Sequence, residues 1–407
     1  MSLADITISD SPLAVDGVRL GTGSAGIKKP GNRDLVVIEI APGSSVAGVY
    51  TQNAFCAAPV QLCKQHMMKA APRYMLINTG NANAGTGEQG MQDAQQCCEA
   101  LAAKLKCEVE EVLPFSTGVI GELLPTEKIV SGLQSAIDAL SPEGWGEASY
   151  GIMTTDTQPK VFSAKAEIDG HWVTVTGVAK GAGMIMPNMA TMLAYIATDA
   201  AVEERLLQQC LSEVVEESFN RVTVDGDTST NDACMLIATA KNGMSVLRDE
   251  DDERYIVLKT MINKVAVALA QAIVRDGEGA TKFITIQVEQ GRDRQECHQI
   301  ALTVANSPLV KTAFFAGDPN WGRILAAVGR AGVADLDVAK VSVYLGDVCI
   351  VESGGRAASY TEEAGQKVMS GDAITVRILL DRGDAQDQVW TCDFSYDYVK
   401  INAEYRT

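Results

Sequence analysis

Between Leu258 and Val288 the hydrophobic period of the chain changes from helical to extended. Leu258, Ile262, Val265, Leu269 and Ile273 recur at three- and four-residue spacing and form one apolar stripe that stops before Gly277. Soon after, Ile284, Ile286 and Val288 alternate with Thr285, Gln287 and Glu289, the pattern of a strand with one buried face. A stripe of this kind marks core packing in preference to a cofactor box. The chain must therefore bury a long helix and a half-covered sheet together. The rest repeats the mixture. The β-branched run 35–40 meets Pro42-Gly43-Ser44-Ser45, which turns it toward 46–50. The spacing of Met91, Ala94, Cys98, Leu101 and Leu105 predicts a helix over 88–107. Thr126, after Pro125, is placed to cap a helix carrying Ile129, Leu133, Ile137 and Leu140. Gly346-Asp347 predicts a hairpin between 341–345 and 348–351, and 374–380 and 389–398 read as strands. Hairpins mixed with long helices point to an α+β fold built in layers, not to a doubly wound parallel sheet.

Length, 407 residues, allows two or three domains of ordinary size. The net charge of −18 repels phosphate backbones and makes nucleic acid an unsuitable partner. No uninterrupted apolar run approaches the roughly 20 residues of a membrane span, so no membrane partner is expected. Met1-Ser2-Leu3-Ala4-Asp5 has neither the basic start nor the apolar core of a secretory signal. The ten cysteines include no Cys-x-x-Cys, which suits reduced thiols in a cytoplasm. The three histidines, His66, His171 and His298, show no metal-site spacing and give no support to a Ser-His-Asp hydrolase, so no metal is expected. Gly21-Thr22-Gly23-Ser24-Ala25-Gly26 matches a dinucleotide fingerprint by letter. The Ile27-Lys28-Lys29-Pro30 that follows cannot open the required helix, so a loop is expected there.

The chemistry centres on Met184-Ile185-Met186-Pro187-Asn188-Met189-Ala190-Thr191-Met192-Leu193, which follows Lys180-Gly181-Ala182-Gly183. Taken alone, the run reads as a buried Thr in a strand. A Thr hydroxyl is a weak nucleophile and needs a base. Cut between Ala190 and Thr191, the chain would give Thr191 a free α-amine with a reference pKa of roughly 7.7–8.0, against about 10.4 for a lysine. An N-terminal Thr then carries its own general base. Lys180 nearby would hold a substrate carboxylate and push that amine downward. Thr117-Gly118 offers a hydroxyl and an approachable backbone N–H to a developing oxyanion, or is an ordinary turn. Glu278, between two glycines, suits a substrate ammonium or a proton shuttle, or is a solvated charge. Asp225-Gly226-Asp227 and Asp318-Pro319-Asn320 read as structural loops, because the Asp pair lacks a third spaced cation ligand. Phe394, Tyr396, Tyr398 and Ile401, alternating with polar residues, suggest a docked C-terminus.

Taken in order, several blocks resemble the ornithine acetyltransferases (glutamate N-acetyltransferases) of arginine biosynthesis. Pro187-Asn188-Met189-Ala190-Thr191-Met192-Leu193 is similar to their self-cleavage site. Thr51-Gln52-Asn53-Ala54-Phe55-Cys56, Ile77-Asn78-Thr79-Gly80-Asn81-Ala82-Asn83-Ala84 and Ser116-Thr117-Gly118-Val119-Ile120-Gly121 match upstream, as does Met153-Thr154-Thr155-Asp156-Thr157. Asp225-Gly226-Asp227-Thr228-Ser229-Thr230-Asn231-Asp232, Gly277-Glu278-Gly279-Ala280-Thr281-Lys282, Gly317-Asp318-Pro319-Asn320-Trp321-Gly322-Arg323 and the terminal Ile401-Asn402-Ala403-Glu404-Tyr405-Arg406-Thr407 match downstream. The resemblance spans nearly the whole chain, with no departure at a functional position. It implies an α/β/β/α sandwich of the ornithine acetyltransferase/aminopeptidase type with a smaller domain in the C-terminal half. It implies an alpha chain, 1–190, and a beta chain, 191–407, separated by self-cleavage and associating as a heterotetramer or larger. Thr191 would be the nucleophile, and Thr117 and Gly118 the oxyanion hole. Thr154, Lys180, Thr191, Glu278, Asn402 and Thr407 would contact substrate. The implied substrates are N2-acetylornithine and glutamate, exchanged through an acetyl-Thr ester, with no cofactor and with acetyl-CoA open as a co-substrate. Two rivals remain. One is an N-terminal-nucleophile amidase or aminopeptidase, in which water resolves the acyl-enzyme. The other is a non-catalytic binding protein that is never cut.

Overall fold

The computed structural model describes residues 6–28, 31–186 and 192–404. Ala190, Thr191 and Thr407 lie outside them. The chain divides into two compact units, the first from Met1–Gly181, Pro187–Asn220 and Thr228–Ile273 and the smaller second from Ala182–Met186, Arg221–Asp227 and Val274–Thr407.

The first unit contains two sheets. One orders its strands Ile8–Ser9, Lys160–Ile168, His171–Lys180, Leu193–Thr198, Ala233–Ala238 and Ser45–Tyr50. All neighbours are antiparallel except the parallel pair Leu193–Thr198 and Ala233–Ala238. The other sheet runs Val18–Gly23, Leu35–Ile40, Tyr74–Asn81 and Val112–Val119, the last pair parallel. Their inner faces share one core, in which Ile38, Ile77 and Phe115 oppose Tyr195, Met235 and Ile237. Phe115 and Tyr195 meet edge to face at 5.3 Å. The outer face of the four-stranded sheet is covered by the helices Ala58–Met67, Gly87–Leu105 and Thr126–Asp138, through Leu62, Cys98, Leu101 and Leu133. The six-stranded sheet carries the helices Glu204–Glu217 and Glu253–Arg275. At Gly177 a Cβ would lie 2.9 Å from Leu269 and 3.1 Å from Val265, so glycine lets the long helix lie flat on the strand. Helix, sheet, sheet and helix are thus stacked in the expected order. Strands covered on both faces lose their alternation, and every residue of Leu193–Thr198 and Ala233–Ala238 is buried.

The second unit holds a seven-stranded sheet, ordered Val222–Thr223, Ala385–Cys392, Phe283–Gly291, Ala373–Leu379, Ser342–Leu345, Val348–Glu352 and Gly355–Arg356. Helices Arg294–Ala305, Pro308–Phe315 and Trp321–Gly329 bury Ile300, Phe314 and Val328 against Ile286 and Val376.

Several expectations are corrected. Helix Glu253–Arg275 is, by length and composition, apolar enough to cross a membrane. Counting uninterrupted apolar residues misses this, because Lys259, Asn263 and Lys264 break the run. Leu258, Val265, Leu269 and Ile273 are buried in the protein core. The turn at 42–45 does lead from strand Leu35–Ile40 to strand Ser45–Tyr50, and in doing so passes the chain from the four-stranded sheet to the six-stranded one. Gly21 and Gly23 end a strand paired with Leu35–Val37 instead of forming a loop. A Cβ on Gly21 would run into the Ala136 carbonyl, so the glycine serves the close approach of a helix. Thr126 is the first helical residue, and its hydroxyl donates to Leu124 O at 3.2 Å instead of capping. Residues 394–398 are not strand. Ser395 accepts from the Asp397 N–H and starts the helix Tyr396–Ala403. Its Tyr396 is 84% exposed, so the aromatic alternation does not mark a buried face.

Candidate active site

In the first unit four of the expected residues converge. Thr117 and Gly118 sit at the end of strand Val112–Val119, not in a loop, opposite Thr79 and Gly80 of the parallel neighbour. Asn81 there pairs with both Thr117 and Val119, which marks a bulge. Gly118 has φ +137°, and a Cβ on it would strike the Gly80 carbonyl group. Only glycine satisfies both the dihedral and the approach. Lys180 ends strand His171–Lys180 and pairs across the ladder with Leu193. It is buried, and its Nζ donates to Thr117 Oγ1 at 3.0 Å and to Thr154 Oγ1 at 3.2 Å. Each hydroxyl oxygen therefore already accepts a hydrogen bond, and its own hydrogen is directed elsewhere.

Asp156 holds this arrangement in place and was not singled out in the sequence. It accepts from Lys160 Nζ at 2.7 Å, from Gly181 N at 2.7 Å and from Thr154 N at 2.9 Å. It thereby ties the Thr154 loop to the end of the Lys180 strand. Burial works against its charge. The Lys160 and Lys180 ammoniums, with these hydrogen bonds, outweigh that and hold its pKa at about 2. The available signal was the acid within the block Met153-Thr154-Thr155-Asp156-Thr157 and Lys160 four residues on. Outside a helix that spacing carries no rule. Because the folded pKa lies below the ordinary 3.8, the stabilisation is complete above that value and is lost as pH falls toward about 2. Asp156→Asn leaves the buried Lys160 without this carboxylate and should cost about 3–5 kcal/mol. A fall in thermal midpoint at pH 7, and a smaller difference between variant and parent near pH 2, would be read by calorimetry.

Side chains of the matching blocks bond to one another's backbone carbonyls. Asn231 Nδ2 donates to Ala82 O at 2.6 Å and to Ser116 O at 2.9 Å. Thr51 donates to Ser229 O at 2.7 Å, and Asn53 to Thr228 O at 3.1 Å.

In the second unit Glu278 is buried just after the long helix. Its N–H donates to Ala182 O at 2.8 Å, and its Oε2 accepts from Asn402 Nδ2 at 2.8 Å. Asp393, fully buried, accepts from Thr281 N at 2.8 Å and Lys282 N at 2.9 Å, and Ser395 donates to Gly279 O at 2.6 Å. The turn bearing Glu278 is thus held from behind. Asp225, its pKa raised by burial, accepts from Met184 N at 2.6 Å and Ile185 N at 2.9 Å. It acts as a structural ligand of the backbone, as Asn320 does in capping helix Trp321–Gly329. Among the described residues no group of three His, Cys, Asp or Glu is arranged to hold a metal ion. A Cβ on Gly183 would fall within the Glu278 carboxylate. Gly183→Ala should therefore displace Glu278 and lower turnover by about 10²-fold, the cost of a misplacement of about 1 Å. Steady-state rates and a crystal structure of the variant would check this.

A buried ammonium bonded to two hydroxyls beside a glycine-bearing strand end presents donors of the kind that stabilise charge developing on a carbonyl oxygen. The chain belongs to the ArgJ family, whose model matches residues 19–407. It is 58% identical over 393 residues to the arginine biosynthesis bifunctional protein ArgJ of Pseudomonas syringae pv. tomato, 97% of each chain. It is 54% identical to that of Psychrobacter arcticus over the full length of both. Among solved structures it is similar to the ornithine acetyltransferase of Mycobacterium tuberculosis complexed with ornithine, at 35% identity. That match covers 45% of this chain and 98% of that one, with a TM-score of 0.42.

Proposed function

We infer that this protein is a glutamate N-acetyltransferase of arginine biosynthesis, moving the acetyl group of N2-acetylornithine to glutamate. The observation that carries the reading is Lys180, which bonds both Thr117 and Thr154 while pairing with Leu193, two residues after Thr191. The family membership and the bifunctional arginine-biosynthesis relatives support it. They do not favour the amidase alternative.

The chemistry proceeds in two stages. In maturation the Thr191 hydroxyl attacks the Ala190 carbonyl carbon, the Ala190–Thr191 C–N bond breaks, and the amine takes the proton. Water hydrolyses the ester, leaving 1–190 and 191–407. In turnover Thr191 attacks the acetyl carbon of N2-acetylornithine, with its own amine accepting the hydroxyl proton. Thr117 and the Gly118 N–H receive the oxyanion. The amine returns the proton to departing ornithine, and an acetyl-Thr ester remains. The α-amine of glutamate attacks that ester, releasing N-acetylglutamate and restoring the hydroxyl. Thr154, Lys180 and Glu278 hold substrate, and Asn402 and Thr407 serve its amino-acid end. No cofactor enters this sequence. Acetyl-CoA serves as a second acetyl donor, consistent with the relatives' bifunctional names. The two chains pair as a heterotetramer or larger, in the cytoplasm.

The test is acetyl release from N2-acetylornithine with and without glutamate. Strong acceleration by glutamate, with N-acetylglutamate formed stoichiometrically, is expected. Equal release in both cases would replace transfer by hydrolysis.

A further inference from the structure

Ping-pong transfer sets one recognition problem that the residues above leave open. Ornithine carries an ammonium on its side chain and glutamate a carboxylate, and both must use one pocket in turn. A permanently placed cation at the side-chain end would repel the first while attracting the second.

Lys28 lies beside the cluster of the first unit. The backbone N–H groups of Ala25, Ile27 and Lys28 converge on the fully buried Asp34 carboxylate at 2.5, 2.6 and 3.1 Å, which fixes this loop. The side chain then crosses Gly80, where a Cβ would sit 3.2 Å from Lys28 Cγ and 2.9 Å from Ile27 Cγ2. Gly80 is the pairing partner of Gly118. The ammonium donates to Met153 O at 2.6 Å, one residue before Thr154, and more weakly to Arg33 O at 3.3 Å. Lys28 and Lys180 thus bring two cations to the Met153-Thr154 segment.

We propose that Lys28 is the acceptor-reading residue, leaving the Met153 carbonyl to bind the side-chain carboxylate of glutamate and staying on that carbonyl when ornithine is present. This rests on the transferase reading. Exchanging a neutral carbonyl for a carboxylate strengthens the hydrogen bond by charge. The fixed loop and the long flexible stem allow the head to move without the backbone. Burial lowers the Lys28 pKa to about 8, Asp34 and Asp156 pull it up, and Lys180 pushes it down. The site therefore holds a cation that is easily discharged.

The experiment compares parent, Lys28→Met and Lys28→Arg in the two half-reactions, with melting temperature as a folding control. Lys28→Met should raise KM for glutamate by about tenfold or more, the worth of one charged hydrogen bond. Acylation by N2-acetylornithine should stay close to the parent rate, and Lys28→Arg should restore glutamate binding. In the parent, KM for glutamate should rise as pH passes about 8 and Lys28 loses its charge, whereas KM for glutamine, which lacks the carboxylate, should not. That arm needs no variant to fold. Equal losses in both half-reactions, or a glutamate KM indifferent to Lys28 and to pH, would overturn the proposal. A parent enzyme that makes no N-acetylglutamate would overturn the transferase reading instead.

Discussion

Thr191→Ala should abolish both self-cleavage and acetyl transfer. Without the hydroxyl no N-to-O shift can occur, so a denaturing gel should show one chain of 43.3 kDa. Two fragments are expected of the parent, and its intact mass should include a species beginning at Thr191. Loss of a nucleophile costs on the order of 10⁶ in turnover in a well-studied serine protease, and an effect of that order is expected here. Thr191→Ser keeps the hydroxyl and should still be cut. Full transferase activity from an uncut parent would dispose of the N-terminal-nucleophile mechanism.

Thr117→Val should lower kcat by about 10²–10³, with KM for N2-acetylornithine little changed. Valine keeps the branched shape and removes only the hydroxyl that Lys180 orients at 3.0 Å. A change confined to KM would move Thr117 from oxyanion stabilisation to substrate binding. Rates must be compared per cleaved molecule, so that an effect on maturation is not counted as an effect on turnover. Gly118 offers no comparable probe. Its φ of +137° and the Gly80 carbonyl group lying where a Cβ would go mean that a substitution there disturbs the strand end itself.

What the sequence reveals here depends on the reach of each interaction. The stripe from Leu258 to Ile273 and the turn at Gly346-Asp347 are local patterns, and both elements form as read. Burial on both faces erases local pattern, as in Leu193–Thr198, and there periodicity is silent. Phe394, Tyr396 and Tyr398 alternate like a strand. The Ser395 cap redirects the backbone, and Phe394 stacks on Tyr398 at 4.7 Å. The four first-unit site residues named from the sequence do come together. Asp156 and Lys28 escaped notice because the contacts that tie them to the cluster reach across the chain, while Asp156's near partners, Thr154 and Lys160, lie outside a helix, where spacing carries no rule. Lys28 meets Met153 across 125 positions, and Asp156 meets Gly181 across 25. No spacing rule operates at such separations. Asp393 is hidden in the same way, behind a turn more than a hundred residues earlier.

The order of strands in the six-stranded sheet bears on stoichiometry. With a break before Thr191, Leu193–Thr198 and Ala233–Ala238 come from the later fragment. Their outer neighbours, His171–Lys180 on one side and Ser45–Tyr50 on the other, come from the earlier one. Separating the fragments would tear two hydrogen-bonded seams and expose the apolar core to water. If the chain is cut there, partner exchange between molecules is closed off and the two products stay matched one to one. A cut made after folding would give, from a single gene, balanced amounts of two chains that two separate genes would have to be tuned to match.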